Sequence, residues 1–120
     1  MLTPVLRTTR LLLDAVTADD TTAVFEYCQD SELQRYVPVP VPYTEATAAS
    51  YTGEYARSAA EGAGVLWAIR QHGSARLVGV VELVVEPMAS AKLGYWLGFP
   101  HRGSGIMTEA VTAVIDFAFA

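Results

Sequence analysis

The spacing of apolar and polar positions along the 120 residues changes several times, and each change marks an element. Residues 10–16, Arg-Leu-Leu-Leu-Asp-Ala-Val, are a short apolar run between threonine-rich ends and predict a first strand. Thr17, Ala18, Asp19 and Asp20 follow, with oxygens able to satisfy free helix amides, and Ala23, Val24 and Tyr27 then recur at helical spacing. A helix over 19–29 is expected. Pro38, Pro40 and Pro42 alternate with valines. Each removes an amide donor and restricts the residue before it, so this stretch is a loop, of the kind that lies over a site. Thr44 can cap a second helix, with Glu45 in its first turn and Gly62 and Gly64 ending it near residue 61. Residues 65–70 and 76–85 read as strands joined by the turn Gln71-His72-Gly73-Ser74, which makes a hairpin, and 92–97 adds a third strand to an antiparallel meander. The last helix, from about Ser104, places Met107, Val111, Val114, Ile115 and Ala118 on an apolar face and Thr108, Thr112 and Asp116 on a polar one.

This order of elements predicts one α+β domain over residues 1–120, with no repeat or linker to divide it. Composition narrows the function. An apolar fraction of 52% against 18% charged residues belongs to a folded core. A net charge of -5 argues against a nucleic-acid-binding face, which needs clustered Lys and Arg, and suits a cationic partner such as an amine. The single cysteine, Cys28, excludes an intrachain disulfide and reads as a buried small hydrophobe. No apolar run reaches the length of a membrane span, and the Leu11–Leu13 run is too short for a secretory leader, so a cytoplasmic protein without membrane contact is expected.

The candidate chemistry lies between Leu93 and Phe119. A strand ends at Leu97, and a turn holding Gly103 and Gly105 leads into a helix. Free amides and the helix dipole at such a terminus make an anion site, and residues without Cβ let the backbone close around the bound group. A pyrophosphate suits this geometry, with Arg102 adding a charge-assisted contact. The segment is neither a Walker A loop, since no Gly-Lys-Ser/Thr follows, nor a Rossmann fingerprint, since the third glycine is absent.

Arg102-Gly103-Ser104-Gly105-Ile106-Met107 resembles the acetyl-CoA signature of the GNAT acetyltransferases, Gln/Arg-x-x-Gly-x-Gly/Ala. Gly94-Tyr95-Trp96-Leu97 before it, Thr108-Glu109-Ala110 after it and the later Phe117-Ala118-Phe119 are similar to the Rim-type ribosomal-protein N-terminal acetyltransferase branch. So are Thr9-Arg10-Leu11-Leu12-Leu13 and Thr17-Ala18-Asp19-Asp20 near the start. Met107 departs from the pattern, standing where Gly or Ala is usual. The resemblance implies a GNAT-type mixed sheet, with antiparallel strands, N-terminal helices and a glycine-rich turn into the cofactor helix. It implies acetyl-CoA as cosubstrate with no metal, and an amine acceptor, either a peptide N-terminus or a small molecule. Amides of Gly103, Ser104, Gly105, Ile106, Met107 and Thr108 would hold the pyrophosphate. The backbone edge of Tyr95, Trp96 and Leu97 would pair with the pantetheine arm while their side chains pack in the core, and the Leu97 amide would face the developing oxyanion.

Direct attack by the amine needs a base. Glu82 stands out, because alternation puts it on a strand face with Val80 and Val84, where a carboxylate is costly unless it is paired or lines a cavity. The alternative is a solvent-facing or edge carboxylate. Glu32, Glu86 and His101 are weaker candidates, and Glu109 is expected to serve the helix dipole. In the family the general acid and the far strands come after this helix, and the absence of a C-cap after Phe119 predicts that the helix continues in a longer parent. On that expectation the strand at Tyr95 is left as an edge that a second copy can cover as a homodimer. Two rivals follow: a non-catalytic CoA-binding module, and an oligomer-building fragment without cofactor.

Overall fold

The computed structural model describes residues 3–119 except residues 63 and 87–89. Five strands form one antiparallel sheet in chain order: β1 (Leu6–Arg7), β2 (Leu11–Ala15), β3 (Gly64–Gln71), β4 (Leu77–Glu86) and β5 (Ser90–Leu97). Helices α1 (Thr21–Tyr27), α2 (Ser31–Tyr36), α3 (Glu45–Ser50) and α4 (Ala56–Glu61) lie between β2 and β3, and α5 (Ile106–Ala118) follows β5. The expected α+β layout and hairpin meander are present. The β3–β4 turn closes on Gly73 at φ +83°, and the pairing shifts register between Ile69 and Arg70.

The sheet buries both faces, which is why β3 and β4 read as nearly continuous apolar runs. On one face Leu66, Ala68, Leu77, Val80 and Trp96 pack against α1–α3 through Val24, Tyr27, Leu33 and Ala48. On the other, Leu11, Leu13, Trp67, Ile69, Val81 and Leu97 pack against Ile106, Ala110 and Val114 of α5. The first helical layer is fastened by an ion cluster. Buried Arg70 donates to Asp14 at 2.7 Å, to Asp20 at 2.6 and 3.0 Å, and to the carbonyls of Ala15 and Ala75.

Several details differ from the sequence reading. β1 has two residues, too few for a period to show. Helix α2, capped by the Asp30 side chain, was hidden because only Leu33 in it is buried. The second predicted helix widens to a π-helical turn at Tyr51–Tyr55 between α3 and α4. In α5 the buried stripe is Ile106, Ala110 and Val114, while Ile115 and Ala118 are exposed. Small Ala110 lets the helix lie close to the sheet, and an apolar count alone does not reveal which stripe turns inward.

Candidate active site

β5 is the outer strand of the sheet. The Gly98 amide donates to the Val78 carbonyl at 2.8 Å, and Trp96 lies opposite Val80. Since antiparallel pairing alternates, the amides of Tyr95 and Leu97 point away from β4 into the open edge. The Trp96 side chain is buried, edge-on to Tyr27 at 6.3 Å, as expected. The Tyr95 side chain instead corrects the expectation of core packing: it is 56% exposed, because its face of β5 runs past the end of the α5 core.

Beyond β5 the chain passes through a short 3-10 turn, Phe99–His101, into Gly103 and Gly105 at φ +81° and +79°. Left-handed backbone at both positions accounts for two glycines around Ser104. The Gly105 conformation starts α5 at Ile106 rather than at Ser104. Helices α2 and α3 are capped by side chains of Asp30 and Thr44, whereas α5 has no side-chain cap, so its first-turn amides remain available to an anion. Arg102 is already engaged. Its Nε donates to the Leu97 carbonyl at 3.1 Å and its Nη2 meets Asp30 at 2.8 Å, with Glu32 at 3.9 Å. These bonds fold the turn back against the end of β5.

A groove of about 460 Å³ runs along this turn, lined by Leu97, Arg102, Gly103, Gly105, Ile106, Met107 and Thr108. A larger cleft of about 1070 Å³ opens on the helical side of β4 and β5, beneath the Pro38–Pro40 loop. The two meet, since Tyr36, Val37, Tyr95 and Trp96 line both. Glu82 lines the larger cleft on the Val80 face, and both its oxygens accept from the Tyr55 hydroxyl at 2.7 Å. Tyr55 stacks on Tyr51 with centroids 5.2 Å apart and planes 10° apart. Burial, and then the bond to Glu82, push the Tyr55 phenol up to about 12, so it remains a donor at neutral pH. Tyr51 is pushed upward too, chiefly by burial. Cys28 also lines the cleft, buried as expected, its thiol pushed up to about 11 by burial and thus kept out of the nucleophilic form.

The weaker candidates are held elsewhere. Glu86 pairs with Lys92 at 3.0 Å, and Glu32 faces Arg102. His101 is half-buried rather than a free loop residue: its Nε2 lies 3.2 Å from the Tyr27 hydroxyl, and burial lowers its pKa. Glu109 accepts from Thr8 Oγ1 and from the Arg10 amide and Nε, which ties α5 to the β1–β2 turn. Sequence reasoning missed Tyr55 and Tyr51, which a helical pattern presents as ordinary surface residues. Among the described residues no group of three or more His, Cys, Asp or Glu gathers to hold a metal, and no helix is long and apolar enough to cross a membrane.

Known proteins resemble this chain in sequence and fold. The chain is 25% identical over 119 residues to the uncharacterized N-acetyltransferase YoaA of Bacillus subtilis (strain 168), covering 98% of this chain and 67% of that protein. It superposes with a TM-score of 0.82 and 26% identity on a structure from Vibrio cholerae assigned as a ribosomal-protein-serine acetyltransferase, over 98% of this chain and 69% of that one. RimL, a ribosomal L7/L12 α-N-protein acetyltransferase solved with coenzyme A, shares the fold with a TM-score of 0.81 at 21% identity, over 95% and 67%. The chain thus spans about two thirds of the length of these relatives. The family model described as the acetyltransferase (GNAT) domain matches residues 10–120, a span that takes in the sheet from β2 onward, the open edge of β5 and the glycine turn together. By that match the chain belongs to the GNAT acetyltransferases, a family of acetyl-transferring enzymes.

Proposed function

We propose that the chain transfers the acetyl group of acetyl-CoA to a primary amine, of a peptide N-terminus or a small molecule, by direct attack on the thioester. The observation that carries this reading is the meeting of the two cavities at Tyr95 and Trp96: one leads to the glycine turn, the other to Glu82. When bound, acetyl-CoA supplies the activated acetyl thioester. The first-turn amides of α5 and the turn from Gly103 to Gly105 favour its pyrophosphate, and the outward amides of Tyr95 and Leu97 pair with its amide-bearing arm. The Leu97 amide, at the inner end of that edge, donates to the carbonyl oxygen as charge develops there.

The larger cleft suits a cation, since the described residues lining it include Glu54 and Glu82 but no Lys, Arg or His. Glu82, fixed by Tyr55, takes one proton from the incoming ammonium. The neutral amine then bonds to the thioester carbon as the C–S bond breaks, and coenzyme A leaves as a thiolate that takes up the second proton lost by the nitrogen. The Pro38–Tyr43 loop and the neighbouring helices form the outer wall of the cleft and select the acceptor.

The test is free-thiol release from acetyl-CoA in the presence of primary amines and short peptides. Amine-dependent release that E82Q suppresses supports the reading. Acetyl-CoA binding without release would instead make the chain a non-catalytic CoA-binding module.

A further inference from the structure

Resting on that reading of the glycine turn, we propose that Arg10, about one hundred residues away in sequence, is the positioning residue that aims the Gly105 amide at the bound phosphate. Arg10 Nη1 donates to the Ser104 carbonyl at 2.9 Å. In a planar trans peptide the carbonyl and the following N–H point in opposite directions. Holding the Ser104 carbonyl toward Arg10 therefore turns the Gly105 N–H the other way. Arg10 does not line the groove, whereas Gly103, Gly105, Ile106, Met107 and Thr108 do. The guanidinium thus sits behind the turn, on the side opposite the ligand.

This restraint has work to do. Ser104 is flanked by Gly103 and Gly105, both at positive φ, where no Cβ resists rotation of the intervening peptides. Without a hold on its carbonyl, the 104–105 peptide can flip and present oxygen to an anion. The hold is itself stiff. Arg10 Nε binds Glu109 Oε1 at 2.7 Å, its backbone amide binds Glu109 Oε2 at 2.9 Å, and Thr8 Oγ1 donates to the same oxygen. Glu109 stands on the first turn of α5, and its own amide donates to the Gly105 carbonyl at 3.1 Å. One carboxylate therefore registers the β1–β2 hairpin, the turn and the helix against each other.

The inference separates phosphate recognition from general folding. Calorimetric titration of the chain with coenzyme A and with phosphate-free pantetheine tests it. R10M, which keeps the aliphatic stem, is expected to weaken coenzyme A binding about tenfold, the worth of one hydrogen bond to a charged group, and to leave pantetheine binding unchanged. R10K, whose single ammonium cannot bridge Ser104 and Glu109 together, falls between the two and stands in if R10M fails to fold. Unchanged coenzyme A affinity in R10M or R10K overturns the inference, as does an equal loss for both ligands. If the unsubstituted chain binds pantetheine but gains nothing from the phosphates of coenzyme A, the reading of the turn itself falls rather than the role of Arg10.

Discussion

Glu82 interrupts the run of valines in β4, and the chemistry proposed for the cleft depends on how that one carboxylate is held. Tyr55 supplies the hold, and its upward-shifted phenol stays protonated across the neutral range. E82Q is expected to lower kcat by about 10²-fold, the usual worth of a positioned base, with little change in KM for acetyl-CoA; steady-state kinetics with a saturating amine checks this. The glycine turn makes the complementary prediction. Gly105 sits at φ +79°, so G105V forces a β-branched residue into left-handed backbone and should raise the Kd for coenzyme A by about tenfold or more, measured by titration. Alternation placed Glu82 on the face it shares with Val80, and the two glycines were legible as a tight turn into the last helix. Tyr55 was not, because it lies 27 positions from Glu82 and only the folded chain brings the two together.

Among the elements, the π-helical turn at Tyr51–Tyr55 shows why a helix can be predicted while its chemistry is not. One wide turn aligns the two rings and carries the Tyr55 hydroxyl to β4, and side-chain periodicity is blind to a change of hydrogen-bond register. The α1 layer rests on Arg70, read from sequence only as a strand residue. Its five bonds are largely shielded, so D20N, which removes one of the two carboxylates paired with the buried cation, should cost about 1.5–3 kcal/mol in urea unfolding. The clamp between the hairpin and α5 has its own acid signature. Thr8 foremost, then the amide and side chain of Arg10, hold Glu109 at about 2 against an ordinary 4.5. A depressed carboxylate contributes its stability in full above the ordinary value and loses it as pH falls toward the folded one. The Tm difference between the parent and E109Q should therefore be widest above pH 4.5 and close progressively toward pH 2.

Over the whole molecule, the sheet separates two duties. In the proposed function the helical layer on one face, with its proline loop, would shape the acceptor cleft, and α5 on the other face would carry the anion turn. The two cavities share residues of β5, the strand at one edge of the sheet. A cosubstrate that binds only the folded chain must stabilise it, by about 2.7 kcal/mol at a hundredfold excess over Kd. Thermal denaturation with rising acetyl-CoA should show a concentration-dependent increase in Tm, and no increase at millimolar concentration would contradict the proposed cosubstrate. The antiparallel order of strands was legible because turn residues punctuate it. The convergence of the two cavities was not, because it arises from tertiary packing of α2 and the proline loop over β5.

The two tryptophans lie on opposite faces of this sheet. Trp67 is fully buried under α5, its indole donating to the Pro4 carbonyl at 2.8 Å and lying edge-on to Phe117. Trp96 lines both cavities at their junction. A W67F chain would thus carry a single indole emitter at the junction of the cavities proposed for donor and acceptor. Its emission would report the filling of either half of the groove, so the order in which the two ligands arrive could be followed optically without any added label.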